Sequence, residues 1–149
     1  MSTYLDASVL LRLVLGEPGA LKPAGLEPAI TSALTEVECL RTLDRLHVKR
    51  RIGADDLAAR RAAIFDLLEA VEVVDLAAPV LRRAAEPFPT PLGTLDALHL
   101  ATALLWRERH PRGRAIFATH EAELARAARA CGLDVVGGEP KRSNKRRTR

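Results

Sequence analysis

At 149 residues the chain is long enough for one domain that buries a sizeable core without disulfide or metal staples. Aromatic residues make up only 3%, which argues against a base-stacking platform for single strands, and no apolar run approaches the roughly 18 residues of a membrane span. The formal charge of +4 divides unevenly: six of the 23 Lys and Arg lie in the last nine residues, KRSNKRRTR, leaving 17 against 19 acidic groups, a net of −2. The body is nearly neutral, and residues 141–149 form a basic arm that suits phosphate backbones or simply stays solvated.

The start, MSTYLDASVLL, carries neither a basic region nor a cleavage site for export, so a cytoplasmic protein is expected. TYLD at 3–6 reads as a strand, and ASVLLRLVLG after it as a helix ending near Gly16. Residues 16–28 are a Gly- and Pro-punctuated loop. Ala29-Ile30-Thr31 is a brief strand, followed by a helix that Ser32 can cap and that runs toward Lys49. A helix is predicted from about Ala54 to Glu69, and the β-branched run VEVVDL at 71–76 has the composition of a buried strand. The prolines of PFPTPLG delay the next helix until Thr94 can cap it. AIFAT is a strand, HEAELARAARACG a helix closed by Gly132, and LDVVG a last strand. Cys39 and Cys131, isolated in helical contexts, read as small core residues.

Strands interleaved with helices of this length predict an α/β fold, a parallel sheet covered on both faces, whose ligands bind beyond the strands' carboxyl ends. Four dispersed carboxylates stand near that edge. Asp6 closes the first strand, Glu38 and Asp96 occupy early turns of two helices, and Glu121 follows AIFAT. Acids gathered in one pocket repel unless a hard cation offsets them, which makes them candidate ligands. Each also has a bland account. Asp6 can begin a turn or cap the next helix, and Ser8 can do the same or bond a nearby acid. Glu38 shares a helix face with Arg41 and Arg45, where a surface ion pair would explain it. Asp96 and Glu121 suit the positive end of a helix dipole, and His99, inside LDALHLATALL, reads as a hydrogen-bonded core histidine.

Four blocks in order change the balance. YLDASVLL at 4–11, SALTEVECLR at 32–41, LDALHLATAL at 95–104 and FATHEAELARAARACGL at 117–133 resemble the motif regions of PIN domains, and more narrowly the VapC toxins of VapBC toxin–antitoxin systems. The resemblance implies a PIN-like three-layer α/β/α sandwich with a mostly parallel sheet of about five strands. It implies a PIN domain over 1–140 with residues 141–149 as a flexible basic tail. The family's acids map onto Asp6, Glu38, Asp96 and Glu121 as catalytic residues and metal ligands. The fourth is commonly Asp; here Glu121 keeps the charge on a longer arm, which reaches an ion through water or from another angle.

The implied activity is Mg²⁺- or Mn²⁺-dependent hydrolysis of RNA phosphodiesters, leaving a 5′-phosphate on the downstream product. The implied partners are RNA, a VapB-like antitoxin and a second copy of the chain in a homodimer, with no membrane. A non-catalytic PIN-fold RNA-binding or interaction module is the alternative, favoured where acids are lost; here one is altered, conservatively. Ser8 stands where a haloacid-dehalogenase-type phosphatase needs its second aspartate, which disfavours that chemistry. A metal-independent ribonuclease built on His110 or His120 would be separated by its indifference to chelators.

Overall fold

A computed structural model describes residues 1–22 and 24–138. The basic run at 141–149, and with it the expected tail, lies outside the described residues. Five strands, β1 (Ser2–Leu5), β2 (Ala29–Ser32), β3 (Glu72–Val74), β4 (Ala115–Thr119) and β5 (Asp134–Gly137), form one sheet in the order β3-β2-β1-β4-β5. All four pairings are parallel, so the sheet is wholly rather than mostly parallel. The helices are α1 (Ala7–Val14), α2 (Ala33–Val48), α3 (Ala54–Glu69), α4 (Ala78–Ala85), α5 (Thr94–Arg109) and α6 (Ala122–Ala130). None among the described residues is long and apolar enough to cross a membrane.

Strand side chains alternate between two cores, as a period of two requires. Tyr4, Ile30 and Phe117 pack with Leu100, Leu104 and Leu124 of α5 and α6. Leu5 and Ala118, one residue further along their strands, pack instead with Leu10, Leu43 and Ile64 of α1, α2 and α3. Helices therefore cover both faces, giving the expected three-layer sandwich.

Local chemistry sets several boundaries. The Ser32 hydroxyl caps α2 by accepting from the Leu34 N–H at 3.1 Å. Beyond α6, Gly132 takes φ +75°, and the Gly132 and Leu133 N–H groups donate to the Arg129 and Ala128 carbonyls, a Schellman closure that glycine makes without Cβ strain. Two expectations need correction. The run 71–76 supplies only β3, an edge strand bonded to β2 alone, with Val73 43% exposed; its β-branched composition fits a pleated surface whether or not both faces are covered. Thr94 does not cap α5: Gly93 occupies that position and Thr94 is already helical.

Chain order places the site. The path leaves β1 for β2 and β3 on one side, then returns to β4 and β5 on the other. The carboxyl ends of β1 and β4 thus flank a topological switch point, where an open parallel sheet leaves a crevice. Leu5 pairs with Ala118, so the residues just past them, Asp6 and Thr119, meet at that edge.

Candidate metal centre

Asp6 leaves β1 in extended conformation at the N-cap of α1, yet its side chain makes no capping bond, so the capping account fails. Instead the carboxylate is 4% exposed and held by hydroxyls. Ser8 donates to Asp6 Oδ2 at 2.5 Å, and Thr119, at the end of β4, donates to the same oxygen at 2.8 Å. Both hydroxyls are fixed in turn, because Ser8 Oγ accepts from the His120 N–H at 2.9 Å and Thr119 Oγ1 from the Glu121 N–H at 3.0 Å. Two hydroxyls on Oδ2 leave Oδ1 facing the cleft, 3.5 Å from His99 Nε2.

Glu38 lies on α2, whose first turns are tied to the sheet. The Thr31 hydroxyl donates to the Leu5 carbonyl at 2.6 Å and meets the Thr35 hydroxyl at 2.7 Å. The surface ion pair with Arg41 or Arg45 that would have been the bland account of Glu38 does not form: Arg41 pairs with Asp44 at 2.8 Å, and Arg45 donates to Thr42 at 2.9 Å. Glu38 Oε2 bonds His99 Nε2. The ligand-type atoms of Asp6, Glu38 and His99 all lie within 4.8 Å of one another.

Asp96, in the first turn of α5, and Glu121, at the N-cap of α6 rather than in its first turn, stand outside that tight group. Both nevertheless line the same open cavity of about 400 Å³ as Asp6 and Glu38, so one cleft receives all four predicted acids. Glu121 makes no side-chain capping bond and is exposed. Arg41 and Arg45 line the cavity too, as do Val37 and Leu95.

Burial, then the charge of Asp6, push the Asp96 carboxyl up to about 6; His99 opposes them, and Glu121 and Glu38 add smaller upward effects. Burial is the larger cause, and the neighbouring carboxylates, Asp6 first, add negative charge to it. Oxygen donors gathered in this way fit a hard divalent cation, which keeps waters and binds through few carboxylates. Asp6, Glu38 and Asp96, with Glu121 at the rim, are the residues that would hold it.

His99 is the member of this cluster that the chain's local pattern hides. It is a fully buried, hydrogen-bonded core histidine, as expected, but its partners belong to the cleft. Nδ1 meets the Tyr4 hydroxyl at 2.8 Å while Nε2 faces Glu38. Burial pulls the His99 pKa down, yet the Glu38 hydrogen bond and the charges of Asp6, Glu38 and Asp96 together leave it raised. Burial and then Asp6 drive the Tyr4 phenol well above its ordinary value, so it stays protonated. Burial, with Glu38 and Asp6, likewise pushes the Cys39 thiol up to about 12, which makes it an inert core group. The one further signal in the sequence was spacing: His99 follows Asp96 by three residues and so shares its helix face.

Comparison with known proteins identifies the family. The PIN domain family model matches residues 3–130. Ribonuclease VapC46 of Mycobacterium tuberculosis is 34% identical over 139 residues, covering 89% of this chain and 95% of that protein. Ribonuclease VapC47 of the same species is 30% identical over 138 residues, covering 87% and 92%. Among solved structures, a toxin–antitoxin complex from Klebsiella pneumoniae superposes with a TM-score of 0.62 at 18% identity, covering 93% of this chain and 98% of that one. Such a distant likeness speaks for the fold, while the sequence matches over nearly the whole length speak for kinship: the chain belongs to the PIN-domain family, on its VapC branch.

Proposed function

We propose that this protein is a metal-dependent endoribonuclease, the toxin of a VapBC-type toxin–antitoxin pair. The observation that carries the reading is the meeting of Asp6, Glu38, Asp96 and Glu121 in one cleft at the switch point of the sheet. Its relatives are named ribonucleases, and a structural neighbour is a toxin–antitoxin complex. A Mg²⁺ or Mn²⁺ ion bound there would supply Lewis-acid stabilisation of phosphodiester charge and a water of lowered pKa.

The chain's own groups do the rest. Ser8 and Thr119 hold Asp6 so that Oδ1 is presented to the cleft. Asp96 and Glu38 add charge from the two helices that wall it, and Glu121 acts from the rim through its longer arm. Arg41 and Arg45, on the face of α2 that carries Glu38, offer cations to the phosphates flanking the cut. Water attacks phosphorus, the bond to the 3′ oxygen breaks, and that oxygen leaves as a hydroxyl, giving a 5′-phosphate downstream.

The domain on this reading spans 1–140, and the cationic run at 141–149 adds affinity for RNA without choosing sequence. A VapB-like antitoxin that covers the acidic cleft, a homodimer and a cytoplasmic location complete the proposal. The decisive experiment is RNA cleavage with Mn²⁺, with Mg²⁺ and with EDTA, using the native protein and Asp6→Asn. Cleavage is expected only with a divalent ion, and Asp6→Asn should lose at least about 100-fold, the upper end for disturbing a metal's supporting groups. Undiminished cutting in EDTA, or by the variant, overturns the reading.

A further inference from the structure

We propose that His99 is a positioning residue of the carboxylate cluster: its ring holds Glu38 from outside and does not itself bind the ion. The inference rests on the metal-dependent reading above and assigns a role to a residue outside the four acids. Asp6 is fixed by two hydroxyls, whereas Glu38 makes its one side-chain hydrogen bond among the described residues to His99. The imidazole therefore sets where the second carboxylate stands.

The direction of the proton follows from the neighbours. A carboxylate only accepts, and Nε2 faces two of them, Glu38 in contact and Asp6 Oδ1 at 3.5 Å, so Nε2 carries the hydrogen. A nitrogen that donates has no lone pair left for a metal. The ring's aim is set from its far side by the Tyr4 hydroxyl, 2.8 Å from Nδ1. Tyr4 stands in the middle of β1 and stacks on Phe117 with ring centroids 5.1 Å apart, so it is anchored in the sheet. Tyr4, His99 and Glu38 thus form a strut from the centre of the sheet to the wall of the cleft. Groups in that supporting position typically tune metal affinity by about 10–100-fold.

The test reads metal binding directly. Manganese is titrated into the full chain and followed by the EPR signal of the free ion, for the native protein, His99→Leu, His99→Gln and Tyr4→Phe. His99→Leu is expected to weaken Mn²⁺ binding by about 10–100-fold. His99→Gln, which keeps a donor of similar reach, should recover most of the loss, and Tyr4→Phe should fall between Gln and Leu. Electron spin-echo modulation of the Mn²⁺-loaded native protein needs no variant to fold, and it should show no coordinated ¹⁴N. Direct nitrogen coupling, or native-like binding by a folded His99→Leu, overturns the assignment while leaving the nuclease reading intact. A native protein that binds no Mn²⁺ overturns both.

Discussion

If four carboxylates share one cleft, neutralising one should stabilise the metal-free fold. Asp96→Asn is the cleanest case, because the amide nearly matches the carboxyl in shape. The Asp96 carboxyl rises from 3.8 to about 6, and about 2 pH units at roughly 1.4 kcal/mol each set a ceiling near 3 kcal/mol. Asp96 is only partly buried, so solvent screening cuts this to about 1–1.5 kcal/mol. At roughly 2–4 °C per kcal/mol for a domain of this size, Asp96→Asn should melt about 3–5 °C above the native protein in EDTA at pH 7.5.

The pH dependence has a definite sign. Well below pH 3.8 the residue is protonated both folded and unfolded and imposes no penalty. Between about 4 and 6 the folded state binds more protons, so native stability falls as pH rises, and the penalty is complete above 6. The advantage of the variant should therefore be small at pH 4 and full at pH 7.5. Thermal melts at the two pH values measure it, and added Mn²⁺ should reverse the order by stabilising the native protein more. A variant that melts no higher in EDTA at pH 7.5, or equally higher at both pH values, refutes the claim that burial and the neighbouring acids penalise the charged form of Asp96.

Three other substitutions probe separate parts of the structure. Thr119→Val keeps the shape but removes one hydroxyl from Asp6 and the acceptor of the Glu121 N–H; urea titration should show a loss of about 1–3 kcal/mol. Arg41→Ala and Arg45→Ala should raise KM for RNA, leave kcat unchanged and lower the salt slope by about 0.7 each. Arg114→Ala, at the opposite end of β4, should change neither KM nor kcat. Gly137→Ala places a Cβ 2.2 Å from the Thr119 carbonyl oxygen at φ +77°, so its melting temperature should drop by more than the αL penalty of about 1–2 kcal/mol would produce alone.

Much of the architecture can be read from local chemistry. The bounds of α3, the proline-delayed start of α5, the Ser32 cap and the Gly132 closure all follow from residues within a turn of the feature they set. The four acids were legible because three sit beside a strand end or helix start and Glu38 lies in an early turn of α2, and because four ordered blocks resemble a family pattern. Pairings across the fold were not. Glu38 had cationic neighbours three and seven residues on, but Arg41 found Asp44, and Glu38 instead met a histidine 61 residues away. His99 sits in so apolar a helix that only its bond to Glu38, 61 residues distant, ties it to the wall of the cleft. The edge position of β3 escaped for the same reason: composition records preference for a pleated surface, not how many neighbours a strand acquires.

The bond between Thr119 and Asp6 spans 113 residues. A growing chain on the ribosome thus carries the first acid and its Ser8 partner long before the second hydroxyl that holds it has been made. A fragment ending before Thr119 would lack that bond and β4 with it, so the cleft takes shape only once nearly the whole domain has been made.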